Sequence, residues 1–338
     1  MKKNLILFLA VAVLASCSKE VIWVPDGYVL GGEKPTGEYV PDEQFKRVAY
    51  CYHNTAPTSF DTSKLDYVTH LHFAFLNPRE DGTLQALANL GNFQALKELA
   101  KTRNVKTAIS LSGSETVFRT VMANATTRKQ FVKNVVDFAV LHQLDGVDLD
   151  WEYPRANQGG DVVLRLLVEE LSAELHSWHK YLSIAVTAGI YAGAVRDGIT
   201  PEALDHVDFV NLMAYDGIGT DPNNPNHHSS LGMAERVLNI WMEEKGLPKE
   251  KAVLGIPVYG KNANNASMTF SALLTAGADP LLDEFIINNV AYYYNGVNTV
   301  KSKTQLAKDQ ANGVMFWEYN QDARGDNSLL KAAYDVGR

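Results

Sequence analysis

The chain has 338 residues, of which 46% are hydrophobic and 21% are charged, and its formal net charge is −8. This balance is typical of a globular protein and excludes a largely disordered chain. The length suffices for one large α/β barrel or for two ordinary domains. No basic run or basic-aromatic stripe occurs, so a nucleic-acid partner is not expected.

The first residues have the pattern of an export signal. Lys2 and Lys3 precede an apolar run, Leu5–Leu14, that is too short to span a bilayer as a helix. The run ends in Leu-Ala-Ser-Cys, which resembles the bacterial lipoprotein signal, where the cysteine becomes the first mature residue and carries the lipid. We therefore expect a signal peptide at residues 1–16 and a lipid anchor on Cys17 that places the protein in the bacterial cell envelope. A plain signal peptide with an incidental cysteine is the alternative.

Residues 17–45 are predicted to form a tether between the anchor and the folded domain. The segment is rich in glycine and proline and shows no sustained period. Its apolar residues, Val21 to Val24, could pack on the domain instead. With Cys17 acylated, Cys51 has no partner for a disulfide and is expected to be a buried core thiol.

From residue 46 onward, short apolar runs rich in β-branched and aromatic residues alternate with helical patterns. The predicted strands are Arg47–Tyr52, Val68–Phe75, Val105–Leu111, Leu144–Trp151, Leu182–Ala188, Val207–Ala214, Ala252–Tyr259 and Gly313–Trp317. The clearest helical patterns are Thr127–Leu144, Val162–Trp178, Met233–Lys245 and Asn298–Gln310. This alternation predicts an α/β fold, a (β/α)8 TIM barrel at residues 46–338. A doubly wound open sheet is the alternative, but no Gly-rich phosphate loop follows any predicted strand.

The most informative segment is Leu144–Pro154, with the sequence LDGVDLDWEYP. In a strand, side chains alternate between faces, so Asp148, Asp150 and Glu152 share one face. In a barrel this face would point inward, toward the C-terminal mouth. Like charges this close on an inward face cannot all ionise. A solvated acidic strand is disfavoured because the alternate positions are strongly apolar and apolar runs flank the segment, so a catalytic cluster is expected. The spacing of an EF-hand calcium loop is absent.

The order of the three carboxyls along the strand suggests their roles. Glu152 is outermost and is the natural general acid, and Asp150 beside it is expected to raise the pKa of Glu152. Asp148 lies deeper and is expected to share a proton with Asp150. The three groups should titrate as a coupled set.

The segment from Asp145 to Pro154 resembles the signature of family 18 glycoside hydrolases, the chitinases and their relatives. The resemblance covers most of the chain after residue 45. Met213–Asp216, with the sequence MAYD, is similar to the family's strand-six motif. Leu254–Gly260 resembles its strand seven, the segment beginning at Gly313 its strand eight, and Val68–Phe75 its strand two.

The resemblance implies a substrate-assisted mechanism, in which the substrate's own 2-acetamido oxygen attacks the anomeric carbon. Glu152 would protonate the leaving oxygen and then activate water. Asp150 would orient the acetamido group and stabilise its positive charge, with Asp148 adjusting the charge on Asp150. A reading of the paired carboxylates alone would make Asp150 the nucleophile of a retaining hydrolase. The further predicted site residues are Tyr215, which would donate to the acetamido oxygen, and the substrate-binding residues Asp216, Trp317 (as floor of the site), Met213, Phe75 and Tyr50.

Two departures from the family pattern bear on the shape of the cleft. Ser112 stands where chitinases usually carry a glycine after strand three. The stretch from Gly260 to Gly313 looks too short for the full α+β insertion that deepens the groove in many processive chitinases. We therefore expect a more open cleft, suited to endo cleavage or to branched glycans.

The sequence leaves the substrate open. A chitinase-type hydrolase acting on β-1,4-linked N-acetylglucosamine is the first hypothesis, and an endo-β-N-acetylglucosaminidase acting on the chitobiose core of N-glycans is the second. A non-catalytic sugar-binding protein is disfavoured because Glu152 is present. No cofactor and no metal are predicted, and the expected partners are an N-acetylglucosamine-containing glycan and, through Cys17, a membrane. A monomer is expected.

Overall fold

The computed structural model describes residues 33–338, so the predicted signal peptide and Cys17 lie outside the described residues. Its strands are β1 (Lys46–Tyr52), β2 (His70–Leu76), β3 (Lys106–Leu111), β4 (Gly146–Leu149), β5 (Tyr181–Thr187), β6 (Phe209–Met213), β7 (Ala252–Pro257), β8 (Tyr259–Asn262), β9 (Ser267–Thr269), β10 (Glu284–Ile287), β11 (Val290–Tyr293) and β12 (Gly313–Trp317). Its α-helices are α1 (Leu90–Lys101), α2 (Glu115–Ala123), α3 (Ala125–Leu141), α4 (Gly160–His176), α5 (Ala194–Asp197), α6 (Pro201–Asp205), α7 (Leu231–Asn239), α8 (Phe270–Thr275), α9 (Val297–Gln310) and α10 (Leu329–Gly337). Within residues 33–338, no helix combines the length and the apolar character needed to cross a membrane.

A closed parallel barrel forms the centre of the molecule, with strand order β1-β12-β7-β6-β5-β4-β3-β2. The sheet closes because β1 pairs with both β2 and β12. The predicted TIM barrel is therefore confirmed and the doubly wound open sheet is excluded. The predicted strands match within a few residues at most ends. The fourth strand ends at Leu149, so Asp150 and Glu152 lie just beyond it, at the C-terminal mouth.

Side chains along β4 point alternately into the apolar core and into the interior of the barrel, where the site lies. Val147 and Leu149 pack outward into the large apolar core between the strands and the helices. Asp148, between them, points into the barrel and is fully buried. Each Å² of buried apolar surface contributes about 25 cal/mol, so a core of this extent supports the fold without disulfides. Cys51 belongs to the same core as a buried free thiol, as the sequence predicts.

The connection after β7 folds into a small antiparallel sheet, with strand order β10-β11-β8-β9, and into the short helix α8. The sequence predicts that this stretch is too short for the full α+β insertion, and the structure shows four short strands and one short helix in it. Strands β10 and β11 are joined by Asn288 and Asn289, whose φ angles are 50° and 61°, as a two-residue hairpin turn requires. Strand β8 begins directly after β7 and therefore lies at the mouth of the barrel.

Residues 33–45 lie against the N-terminal mouth of the barrel, although the sequence places them in a tether. Tyr39 and Asp42 line a cavity of about 160 Å³ together with residues at the starts of β1, β2 and β3. Asp42 accepts a hydrogen bond of 2.6 Å from Lys106 on β3. Lys34 donates one of 2.8 Å to Ser177. This part of the segment belongs to the folded domain and covers the face opposite the carboxylates.

Candidate active site

Asp148 lies at the base of the site, inside the barrel, with no exposed surface. Its carboxylate accepts hydrogen bonds from the hydroxyls of Tyr50 at 2.8 Å and Ser110 at 2.7 Å. Ser183 donates a third at 2.6 Å, and the amide of Asn211 donates a fourth at 3.3 Å. These donors come from four other barrel strands, so the cost of burying the carboxylate is offset by hydrogen bonds.

His72 lies beside Asp148 without acting as its counter-charge. Its Nδ1 is 3.7 Å from the Oδ1 of Asp148, and its Nε2 is 3.1 Å from the hydroxyl of Tyr181. Burial lowers the pKa of His72, although Asp148 raises it, so the imidazole is neutral at pH 7. The proton that Asp148 can share with Asp150 stays a prediction. Hydroxyl and amide donors of the barrel wall bind the Asp148 carboxylate.

Asp150 follows β4 and is 5% exposed. Its Oδ1 is buried and has no hydrogen-bond partner. Burial raises the pKa of Asp150 well above its usual 3.8, and the charges of Glu152 and Asp148 raise it further. Burial has this effect because the charged form loses its hydration there.

Glu152 is exposed at the mouth of the barrel and lines the cleft. Exposure therefore rises from Asp148 through Asp150 to Glu152, in the order predicted from the strand. Trp151 points the other way, is buried, and stacks on Phe118 with ring centroids 5.4 Å apart. A side chain that is exposed to the cleft and next to a buried carboxyl can exchange protons with a bound substrate.

Asp216 is held in place from three sides at the end of β6. It accepts hydrogen bonds from the hydroxyl of Tyr259 at 2.7 Å, and the Nζ of Lys261 lies 2.8 Å away. His228 Nδ1 lies 3.4 Å from the same oxygen. Burial raises the pKa of Asp216, but these three partners outweigh burial and lower the pKa to about 2. Asp216 is therefore a carboxylate throughout the ordinary pH range.

Tyr215 precedes Asp216 and lines the same cleft as Asp150 and Glu152. Burial raises the pKa of Tyr215, and the charges of Asp150 and Asp216 raise it further, so its hydroxyl keeps its proton. Such a hydroxyl can donate a hydrogen bond to a bound group. Met213, at the end of β6, lines the cleft beside it.

Aromatic side chains form the opposite part of the cleft, which has a volume of about 580 Å³. Trp317, the last residue of β12, stacks on Phe75 with ring centroids 5.6 Å apart. The ring centroids of Tyr50 and Trp317 are 5.5 Å apart, and the hydroxyl of Tyr50 donates a hydrogen bond to Asp148. Ser112 also lines the cleft, where the sequence departs from the family pattern. All the predicted site residues within residues 33–338 except Asp148 therefore line this cleft, and Asp148 lies inside the barrel, bonded to Tyr50 of the cleft.

The structure adds residues that the sequence analysis does not single out. Tyr259, Lys261 and His228 hold Asp216, and Arg155 and Arg196 line the cleft. A partial signal exists for Tyr259 and Lys261, because they follow the seventh predicted strand and residues at that end of a barrel strand face the site. Nothing in the sequence near His228 indicates its partner.

A (β/α)8 barrel whose C-terminal mouth holds an exposed glutamate beside a buried aspartate, with an aromatic floor, is the arrangement of a glycoside hydrolase. No group of three or more metal-ligating side chains is arranged to hold an ion in residues 33–338.

Comparison with known proteins gives the same class. Residues 46–322 match the model of glycosyl hydrolases family 18. Endochitinase 1 of Metarhizium robertsii is 27% identical, with 88% of this chain and 85% of that protein covered. Among solved structures, the GH18 chitinase ChiB from the chitin utilization locus of Flavobacterium johnsoniae is 29% identical, with a TM-score of 0.74 and coverage of 88% of this chain and 94% of that one. A chitinase from Bacteroides thetaiotaomicron is 25% identical, with a TM-score of 0.75 and coverage of 87% and 96%.

The chain belongs to glycosyl hydrolase family 18. It is a chitinase-type glycoside hydrolase, as the resemblance of the carboxylate segment implies.

Proposed function

We propose that the enzyme cleaves β-1,4 bonds next to N-acetylglucosamine with retention of configuration, using the substrate's acetamido group as nucleophile. Glu152 protonates the leaving oxygen and afterwards activates the water that opens the oxazolinium ion. The chemistry requires an acid that reaches the glycosidic oxygen from the cleft, and Glu152 is the exposed carboxyl there.

The buried oxygen of Asp150 carries this proposal. Its Oδ1 has no hydrogen-bond partner, and only burial and two negative charges act on its pKa. Such a carboxyl is poorly stabilised in the free enzyme and gains most when a positive charge forms beside it. The oxazolinium ion provides that charge, and the acetamido N–H provides the missing donor. The site thus stabilises the charged intermediate more than the ground state.

The other residues position the sugar. Tyr215 donates its hydroxyl hydrogen to the acetamido oxygen, and Trp317 supports the ring from below. Asp216, kept ionised by Lys261 and Tyr259, accepts hydrogen bonds from sugar hydroxyls. Asp148 tunes Asp150 by its charge from beneath.

Replacing Glu152 with glutamine tests the role of the acid. We expect kcat on N-acetylglucosamine oligomers to fall by about 10²- to 10⁴-fold, the usual contribution of a general acid. Binding of the oligomers should persist, because the amide keeps the shape of the side chain. Glu235→Gln, at an exposed position on α7, is the matched control and should keep the wild-type rate. An unchanged kcat for Glu152→Gln would reject the assignment.

The mechanism and the substrate are tested separately. An oligomer with a 2-hydroxyl in place of the 2-acetamido group should not be cleaved, and cleavage would make Asp150 a direct nucleophile. Initial rates on chitin oligomers and on a high-mannose glycoprotein separate the chitinase hypothesis from the endo-β-N-acetylglucosaminidase hypothesis. Absence of cleavage of the chitin oligomers would reject the first.

A further inference from the structure

The cleft has two chemically different halves. One half is aromatic and carries Trp317 and Phe75, at the ends of β12 and β2, which both adjoin β1 in the barrel. The other half is built from the loops that follow the neighbouring strands β4 and β5, and it carries Arg155 and Arg196. Glu152 is on the loop after β4, three residues before Arg155, and lines the same cleft.

The two arginines lie on loops that pack directly against each other. Arg155 follows Pro154 in the loop after β4, and Arg196 is in α5, after β5. A Cβ atom added to Gly198, just after α5, would lie 2.2 Å from the carbonyl oxygen of Pro154, so the two backbones touch. The two arginines therefore lie on neighbouring segments of one wall of the cleft, Arg196 paired with Glu244 and Arg155 without an ion pair among the described residues.

These charges are not the counter-ions of the carboxylates in the cleft. No ion pair joins Arg155 or Arg196 to Asp150, Glu152 or Asp216 among the described residues. Only burial and negative charges act on the pKa of Asp150. The cationic partners of Asp216 come from elsewhere, since Lys261 lies 2.8 Å from its carboxylate. Neither arginine therefore makes a direct ion pair with a carboxylate of the acidic centre.

The two guanidinium groups differ in how they are held. Arg155 is exposed and makes no ion pair with another described residue. Arg196 is 17% exposed, and its Nη1 lies 3.1 Å from Glu244, which steadies the side chain in the wall. Tyr191, in the same half, is 72% exposed and offers a ring face on which a sugar can stack. An exposed aromatic ring and two arginines that line the same cleft suit a sugar that carries a negative group, because guanidinium groups bind carboxylates in a fork geometry.

We propose that Arg155 and Arg196 form a subsite for a carboxylate, so that the preferred substrates are N-acetylglucosamine glycans carrying carboxylate groups on the sugar beyond the cleaved bond. Neutral chitin offers these arginines no charge to bind. This inference rests on the proposed hydrolysis and names its substrate class.

Two soluble polymers with the same backbone test the subsite, namely neutral hydroxyethyl chitin and anionic 6-O-carboxymethyl chitin of matched length. The wild-type enzyme should have the lower KM on the carboxymethyl polymer, and added salt should raise that KM because it screens exposed charges. In the Arg155→Gln, Arg196→Gln double variant, the preference for the anionic polymer should fall by about tenfold, as expected for the loss of charge-assisted hydrogen bonds. Equal KM values for the two polymers with the wild-type enzyme would overturn the inference.

Two further variants separate a binding role from a structural one. Glu244→Gln removes the negative charge that pairs with Arg196 and adds no bulk. The positive charge of Arg196 is then no longer neutralised, so the preference for the carboxymethyl polymer should become stronger. Arg103→Gln removes the same charge from a pair with Asp66, outside the cleft, and should leave the preference as in the wild type. An equal rise of KM on both polymers in the double variant would mean that the arginines only support the loops. Absence of cleavage of hydroxyethyl chitin by the wild-type enzyme would instead reject the proposed function.

Discussion

At the scale of single residues, the buried carboxyl of Asp150 lowers the stability of the folded protein at neutral pH. Its pKa is raised in the folded state, first by burial, so the stability that it contributes is present below pH 3.8 and is lost as the pH rises through the folded pKa. We predict that Asp150→Asn unfolds at a higher temperature than the wild type at neutral pH, by about 2 °C or more. The difference should disappear below pH 3.8, and thermal unfolding followed over that range measures it. Activity should be largely lost.

Asp148→Asn is the contrasting control for this prediction. Asp148 accepts hydrogen bonds from three hydroxyls and from the amide of Asn211. An asparagine would set its own N–H groups against these donors and leave buried groups unpaired, at a cost of about 1–3 kcal/mol. At neutral pH the unfolding temperature is therefore expected to rise in Asp150→Asn and to fall in Asp148→Asn. Destabilisation by both would mean that the Asp150 carboxyl has a stabilising partner.

The sequence predicts the depth order of the three carboxyls but not their electrostatics. Alternation along the strand places Asp148, Asp150 and Glu152 on one face, and their exposure rises in that order. The raised pKa of Asp150 depends on its burial, which the strand pattern alone does not contain. The donors to Asp148 come from four other strands, so the pattern of a single segment does not indicate them.

At the scale of elements, β8 positions the carboxylate of Asp216, at the end of β6. It contributes Tyr259 and Lys261, and both contact Asp216. The pKa of Asp216 is lowered to about 2, so the stability that it contributes is present above pH 3.8 and is lost as the pH falls toward 2. Without Lys261 this loss should begin at a higher pH, and the carboxylate should be less well positioned for the substrate.

We predict that Lys261→Met raises KM on N-acetylglucosamine oligomers by up to about fivefold, since the Asp216 side chain is partly exposed and such a pair contributes at most about 1 kcal/mol. The kcat value should change less, because Lys261 does not line the cleft. Steady-state kinetics measure both values, with Lys301→Met, at an exposed position on α9, as the control. A fall in kcat at constant KM would contradict this positioning role of Lys261 and indicate a role in the chemical step.

The elements differ in how well the sequence predicts them, and burial explains the difference. The barrel strands are covered on both faces, so they appear as apolar runs that stand out from their surroundings. Strands β9, β10 and β11 have three or four residues each and are partly exposed, which leaves little pattern to detect. The pair Asn288-Asn289 was the available signal, because asparagine tolerates the positive φ of a hairpin turn.

At the scale of the whole molecule, the chain enters the barrel on the face opposite the cleft. Tyr39 and Asp42 lie among the first residues of the barrel strands, whereas Glu152 and Trp317 follow the strand ends. Fifteen residues separate Cys17 from Glu33 in the sequence, and the described segment that follows lies on the N-terminal face, so we expect a lipid on Cys17 to attach the protein from this side. The cleft is on the opposite face, and we expect it to stay open to large polymers.

This orientation makes the proposed lipidation of Cys17 testable together with its consequence. We predict that the full chain, expressed in a bacterium, incorporates labelled palmitate and fractionates with membranes, whereas Cys17→Ala does neither. Because the cleft lies on the opposite face, the membrane-bound protein and Cys17→Ala should hydrolyse both short oligomers and soluble hydroxyethyl chitin at similar rates. Cys51→Ala, at the buried thiol, is the control for labelling and should keep the lipid. Membrane-bound protein that cleaves oligomers but not the polymer would show that the cleft faces the bilayer, and labelling that persists in Cys17→Ala would reject the anchor.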